Sequence, residues 1–104
     1  MIKLEVKRSP ENLNYVRVSF ETEASVLKAL KVFIRNVYQD VPEEGLYLAE
    51  RNYLLTEKDS TRWWVEFVVK DREGRERFLT KEMIGKIRSF FEKEIEEFEK
   101  EITE

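Results

Sequence analysis

Hydrophobic and polar positions alternate from the start of the chain: Ile2, Leu4 and Val6 interleave with Lys3, Glu5 and Lys7. A period of two predicts a β-strand with one apolar face and one wet face. Arg8-Ser9-Pro10-Glu11-Asn12 then reads as a turn, since proline offers no N–H to a ladder and asparagine tolerates left-handed backbone. Alternation resumes over Asn14–Glu21, with Val16, Val18 and Phe20 inward and Tyr15, Arg17 and Ser19 outward. The two segments predict a hairpin.

The period then changes. Leu27, Leu30, Ile34 and Val37 recur at intervals of three and four, widened by Val26, Phe33 and Tyr38, which predicts an amphipathic helix. Thr22 is its expected N-cap, with Glu23 in the first turn facing the positive end of the helix dipole. Pro42 and Gly45 close it inside a loop over Gln39–Gly45. Leu46–Thr56 reads as a long strand whose alternation breaks near Glu50-Arg51-Asn52. A β-bulge there would return Leu46, Leu48, Tyr53 and Leu55 to one face.

After a turn at Glu57-Lys58-Asp59-Ser60 comes the strongest strand signal, Thr61–Lys70, dense in aromatic and β-branched residues. Trp63, Val65, Phe67 and Val69 share one fully apolar face. Arg62, Trp64, Glu66, Val68 and Lys70 share the other, which is half apolar. Asp71-Arg72-Glu73-Gly74 predicts a tight turn with Gly74 in the left-handed region. Arg75–Leu79 is expected to return as an edge strand, pairing Phe78 with Val68 and Leu79 with Phe67. Thr80 caps a last helix running to about Thr103, with its stripe at Ile84, Ile87, Phe91, Ile95, Phe98 and Ile102, widened by Met83 and Phe90. Such a helix is about 35 Å long, so residues 92–104 are expected to overhang the domain.

These elements give a single domain over residues 1–104, class α+β, with an antiparallel sheet of about five strands and two helices in the order β-β-α-β-β-β-α. Trp64, Val68 and Phe78 on the questionable sheet face, with Ile95, Phe98 and Ile102 along the tail, form the expected contact surface. Contiguous exposed apolar groups usually mark such a site.

Composition narrows the chemistry. The 104 residues include no cysteine and no histidine, which removes thiolate sites, disulfides and the commonest general base and metal ligand. The N-terminus lacks a signal peptide's apolar core, and no run is long enough to span a membrane, so a cytoplasmic setting is expected. A net charge of −3 disfavours binding through phosphate neutralisation, and Arg72, Arg75, Arg77 and Lys81 are interleaved with Glu73, Glu76 and Glu82. The abundance of glutamate, lysine and arginine suits a thermostable or a de novo designed protein.

From Thr22 onward the expected order α-β-β-β-α is similar to the double-stranded-RNA-binding domain. That family's Lys-Lys-x-x-Lys cluster is replaced here by Lys81-Glu82-Met83-Ile84-Gly85-Lys86, so no direct nucleic-acid contact is expected. Nearly the whole chain resembles subunit L of archaeal RNA polymerase, which shares a dimerisation domain with eukaryotic polymerases and the bacterial α subunit. The likeness rests on the element order and on Ile2-Lys3-Leu4-Glu5-Val6-Lys7 with Asn14-Tyr15-Val16-Arg17-Val18. Where the family's first helix opens with an acid, His, Thr and Leu, this chain reads Glu23-Ala24-Ser25-Val26-Leu27-Lys28. Near the family's later His-Pro-Leu it reads Tyr53-Leu54-Leu55. The resemblance implies a non-enzymatic association module whose partner is a second copy or another protein subunit, with no cofactor, metal, membrane or small molecule.

Two other readings compete. One is a stand-alone α+β scaffold, designed or orphan, without a partner. The other is a small-molecule pocket under a curved sheet, with Glu50, Asn52 and Glu66 gathered around Trp63 as acid and base. Against that pocket stands a plain bulge with an Arg51–Glu66 ion pair across strands.

Overall fold

The computed structural model describes residues 2–37, 40–41, 45–53 and 61–103; the side chains at 35–37, 40–41, 50–53 and 103 lie outside the description. The expected turn at residues 57–60, Leu54, Leu55, Tyr38 and Pro42 also fall outside the described residues. Five strands and two helices follow in the order β1 (Lys3–Arg8), β2 (Tyr15–Glu21), α1 (Ala24–Val37), β3 (Asp40–Val41), β4 (Leu46–Tyr53), β5 (Arg62–Lys70) and α2 (Lys81–Thr103). The fold is α+β. The sheet runs β1-β2-β5-β4-β3 with every pair antiparallel, so four full strands carry it and β3 contributes two residues at one edge.

The longest apolar strand sits in the middle, where both of its edges are paired. Val16, Val18 and Phe20 of β2 lie opposite Phe67, Val65 and Trp63. On the other side Leu48 faces Val69 and Tyr53 faces Val65. These two matches keep phase only because the register shifts between Glu50 and Asn52, the bulge that the broken alternation anticipates. Both helices lay their stripes on this face: Leu27, Leu30 and Ile34 of α1 and Ile87, Phe91, Ile95 and Phe98 of α2 join Trp63, Val65 and Phe67 in one core. Aromatic rings tie it together, with Phe20 stacked on Trp63 at 5.2 Å and Phe91 6.0 Å from Phe67.

Local signals fix the ends. Thr80 caps α2: its carbonyl accepts from the Ile84 N–H and its hydroxyl from the Met83 N–H at 3.1 Å. At α1 the cap shifts by one residue. The Glu23 carbonyl accepts the first helical bond, from Leu27, while the Thr22 N–H is still engaged by the Thr61 carbonyl of the sheet. Gly74 takes a φ of 80° in the turn closed by Asp71 and Arg75, as its position predicts. The Asp71 carboxylate accepts from the Arg75 and Glu73 amides and from the Arg75 guanidinium. The Arg75 amide bond above all holds its pKa below the ordinary carboxylate value.

The expected edge strand Arg75–Leu79 does not form. After a single bridge between Lys70 and Glu76 and a bond from the Arg77 N–H to the Val69 carbonyl, the segment leaves the sheet. The reason is competition: Tyr15 of β2 already pairs with Val68 on that side of β5. Phe78 therefore never reaches Val68, and Leu79 drops into the core rather than facing Phe67 across a ladder. The fifth strand is β3, inside what reads as a loop.

Candidate contact surface

The six residues of the expected surface are not brought together. Val68 is fully buried on the sheet face turned away from the helices, between Tyr15 and Ala49 in the ladder. Ile95 and Phe98 are buried on the opposite side of the sheet, in the helical layer. Phe98 rests 5.2 Å from Phe33 of α1, so the three-four spacing of the tail is a seam with the chain's own first helix. The overhang shrinks to the last turn, where Ile102 is 45% exposed. Trp64 is half-buried, and the Arg17 guanidinium lies 4.1 Å over its ring. Phe78 is the most exposed of the six, at 73%.

Behind Trp64 lies a feature that the periodicity hides. Glu66 is 1% exposed, and its Oε2 accepts from Arg17 Nε at 2.9 Å, Arg17 Nη2 at 2.8 Å and the Ser9 hydroxyl. Ser9 is equally buried, and its oxygen also accepts from the Glu11 and Asn12 amides, so one side chain both folds the first turn and anchors it to β5. Bonded to Arg17 and Ser9, this carboxylate anchors β2 and the first turn to β5. It is not near Trp63, which points to the other face, buried among the helices with its indole N–H unpartnered. The pocket expected around Trp63 is thus absent in the described residues, while the side chains of Glu50, Arg51 and Asn52 lie outside them. The backbone places Asn52 opposite Glu66.

A shallow cleft of about 710 Å³ opens on the same outer face, over Lys3, Lys7, Ser19, Glu21, Arg62 and Trp64. Apart from Lys3, its charges are paired among the described residues. Lys7 pairs with Glu5 at 3.1 Å, Arg62 with Glu21 at 3.2 Å and Arg17 with Glu66. Without a convergent set of unpaired polar groups such a tray offers a ligand little specificity. Among the described residues no cluster of three or more acidic side chains could hold a metal, and no helix is long and apolar enough to cross a membrane.

Two exposed apolar groups, Phe78 and Leu13, the latter 67% exposed in the first turn, lie on segments that Arg8 ties together. One Nη donates to the Leu13 carbonyl, the other to the Leu79 carbonyl at 2.6 Å, and the guanidinium sits 6.0 Å from the Phe78 ring centre. The sequence gives no periodic signal for Leu13, because it falls in a turn. A leucine followed by a polar strand start is its only trace. In comparisons with known proteins, no family model, curated protein or solved structure matched the chain.

Proposed function

We propose that this chain is a non-enzymatic association domain, a polymerase subunit L-like dimerisation module working in a cytoplasmic setting. Self-association is its simplest form, and another protein subunit is the alternative partner. The observation that carries the reading is that exposed Phe78 and exposed Leu13 sit on segments joined through Arg8. Two large apolar side chains stand mostly in water, yet Arg8 fixes the backbone of both segments. Aromatic and arginine side chains pre-set in this way are the usual anchors of protein interfaces, because little order remains to be imposed on binding. A surface rich in glutamate, lysine and arginine fits a thermostable subunit. The pairing of Lys7, Arg17 and Arg62 with carboxylates leaves Lys3 as the cleft's one unpaired charge among the described residues, which argues against a small molecule or a nucleic acid there.

A second reading, the stand-alone scaffold, is favoured by the burial of Val68, Ile95 and Phe98, which leaves the core closed within one chain. Sedimentation equilibrium from micromolar to millimolar concentration separates the two. Association requires the apparent mass of the parent to climb above 12.6 kDa, while a Phe78→Asp, Leu13→Asp variant that melts like the parent stays at that monomer value. A mass fixed at the monomer value over the whole range supports the scaffold.

A further inference from the structure

The surroundings of Phe78 carry a charge that the sequence hides. Of the acidic residues interleaved there, Glu73 pairs with Arg75, as does Asp71, and Glu82 pairs with Lys86. Glu76 is also engaged. Arg77 and Lys81 are exposed, and neither they nor Arg8 has a carboxylate partner among the described residues. Against these three cations stands Glu11, close to Leu13 in the chain and unpaired among the described residues, so this end of the molecule is apolar and, on balance, basic.

The far end is its complement. From Glu92 to Glu101 six glutamates oppose two lysines. Glu92, Glu96 and Glu101 are exposed with no cation paired to them among the described residues, and Ile102 stands beside them at 45% exposure. Acidic side chains at a helix C-terminus oppose the negative end of the dipole, so this charge works against α2 itself. Burial and the neighbouring Glu97 push the Glu94 carboxyl above its ordinary pKa, a sign of the same crowding. The two ends cannot meet within one chain. α2 begins three residues after Phe78, and its 23 residues span about 34 Å at 1.5 Å each, nearly the full 37 Å length of the molecule.

Resting on the association reading above, we infer that the acidic end of α2, around Ile102, docks on the Phe78–Leu13–Arg77 end of a second copy, a head-to-tail contact between identical chains. Opposite charges bring the ends together, and Ile102 meets the two exposed apolar groups. A contact joining two different surfaces does not close at a dimer unless its rotation returns on itself, so species at successive multiples of 12.6 kDa are expected. It is salt-sensitive, because raising ionic strength from about 0.1 M to about 1 M shortens the screening length from about 10 Å to about 3 Å.

Complementation in light scattering tests it. Phe78→Asp destroys the basic apolar end and leaves the tail; Ile102→Lys destroys the tail and leaves the other end. Each variant alone should associate at least about tenfold more weakly than the parent while melting normally. Mixed together they should form a one-to-one complex and nothing larger, since only one intact junction exists. If Phe78→Asp abolishes association but Ile102→Lys does not, the contact is symmetric. The head-to-tail inference then falls while the association reading stands. Association that survives both variants overturns the contact at either end, and a parent that never associates overturns both readings.

Discussion

Replacing Arg17 with methionine asks whether the buried Glu66 is an anchor. The substitution keeps an aliphatic stem but removes the guanidinium over Trp64, and with it the two donors at 2.9 and 2.8 Å from Oε2. Glu66 is 1% exposed, so its charge cannot turn to water, and the Ser9 hydroxyl remains to it. Breaking a buried pair in this way costs about 3–5 kcal/mol. Arg17 retains 15% exposure, which admits some solvent and places the expectation at the lower end, about 3 kcal/mol. For a domain of this size that is a fall in Tm of at least about 10 °C. A second variant, Arg17→Met with Glu66→Leu, removes both charges and should recover most of the loss, since apolar replacements of buried pairs are often neutral or better. Paired urea melts measure both. A single variant that loses less than about 1 kcal/mol would refute the reasoning, as would a double variant no more stable than the single one.

Two further outcomes follow from the core and the tail. Phe67→Ala should cost about 3–5 kcal/mol in the same melts, because a buried aromatic ring beside Phe91 leaves a cavity that the central strand cannot collapse; a loss under about 1 kcal/mol would mean the faces of β5 are reversed. Glu94→Gln should stabilise the protein at neutral pH. The Glu94 pKa is raised in the fold from its ordinary 4.5 by burial and by Glu97, so the ionised form costs stability above the folded value. That cost shrinks as pH falls through the raised pKa and is gone below 4.5, where the carboxyl is protonated in both states. Thermal melts from pH 7 to pH 4 should therefore show the advantage of the variant vanishing with acid; an advantage independent of pH would contradict it.

The elements that sequence reading recovers are those settled by neighbours in the chain. The central strand, the bulge after Glu50, the glycine turn at Gly74 and the Thr80 cap each depend on residues within a few positions of one another. What it misses is settled by competition between distant segments. Nothing in Arg75–Leu79 reveals that Tyr15 has taken the edge of β5 this segment would need, and the pairing of Tyr15 with Val68 joins residues more than fifty positions apart. The tail fails for a related reason. A three-four spacing of Ile95, Phe98 and Ile102 suits a seam with any helix, and only the position of Phe33 identifies the partner as α1.

The candidate surface divides along the same line. Phe78 is legible, since an aromatic residue between Arg77 and Leu79 after a turn signals exposure or an edge, and it is exposed. Its companion Leu13 is not, because Arg8 reaches the Leu79 carbonyl across 71 positions, and no local pattern announces that bond. The lone carboxylate in Trp-Trp-Val-Glu-Phe-Val-Val was the stronger clue. That acid is buried, so it has to find fixed donors, and they come from Ser9 and Arg17 of the first hairpin. Arg17, which reads as a solvated position, is thereby the residue that closes the sheet face over Trp64. With Arg17 and Glu66 occupying that face around Trp64, the large apolar groups left in water among the described residues are Leu13, Val32, Tyr47, Phe78 and Ile102.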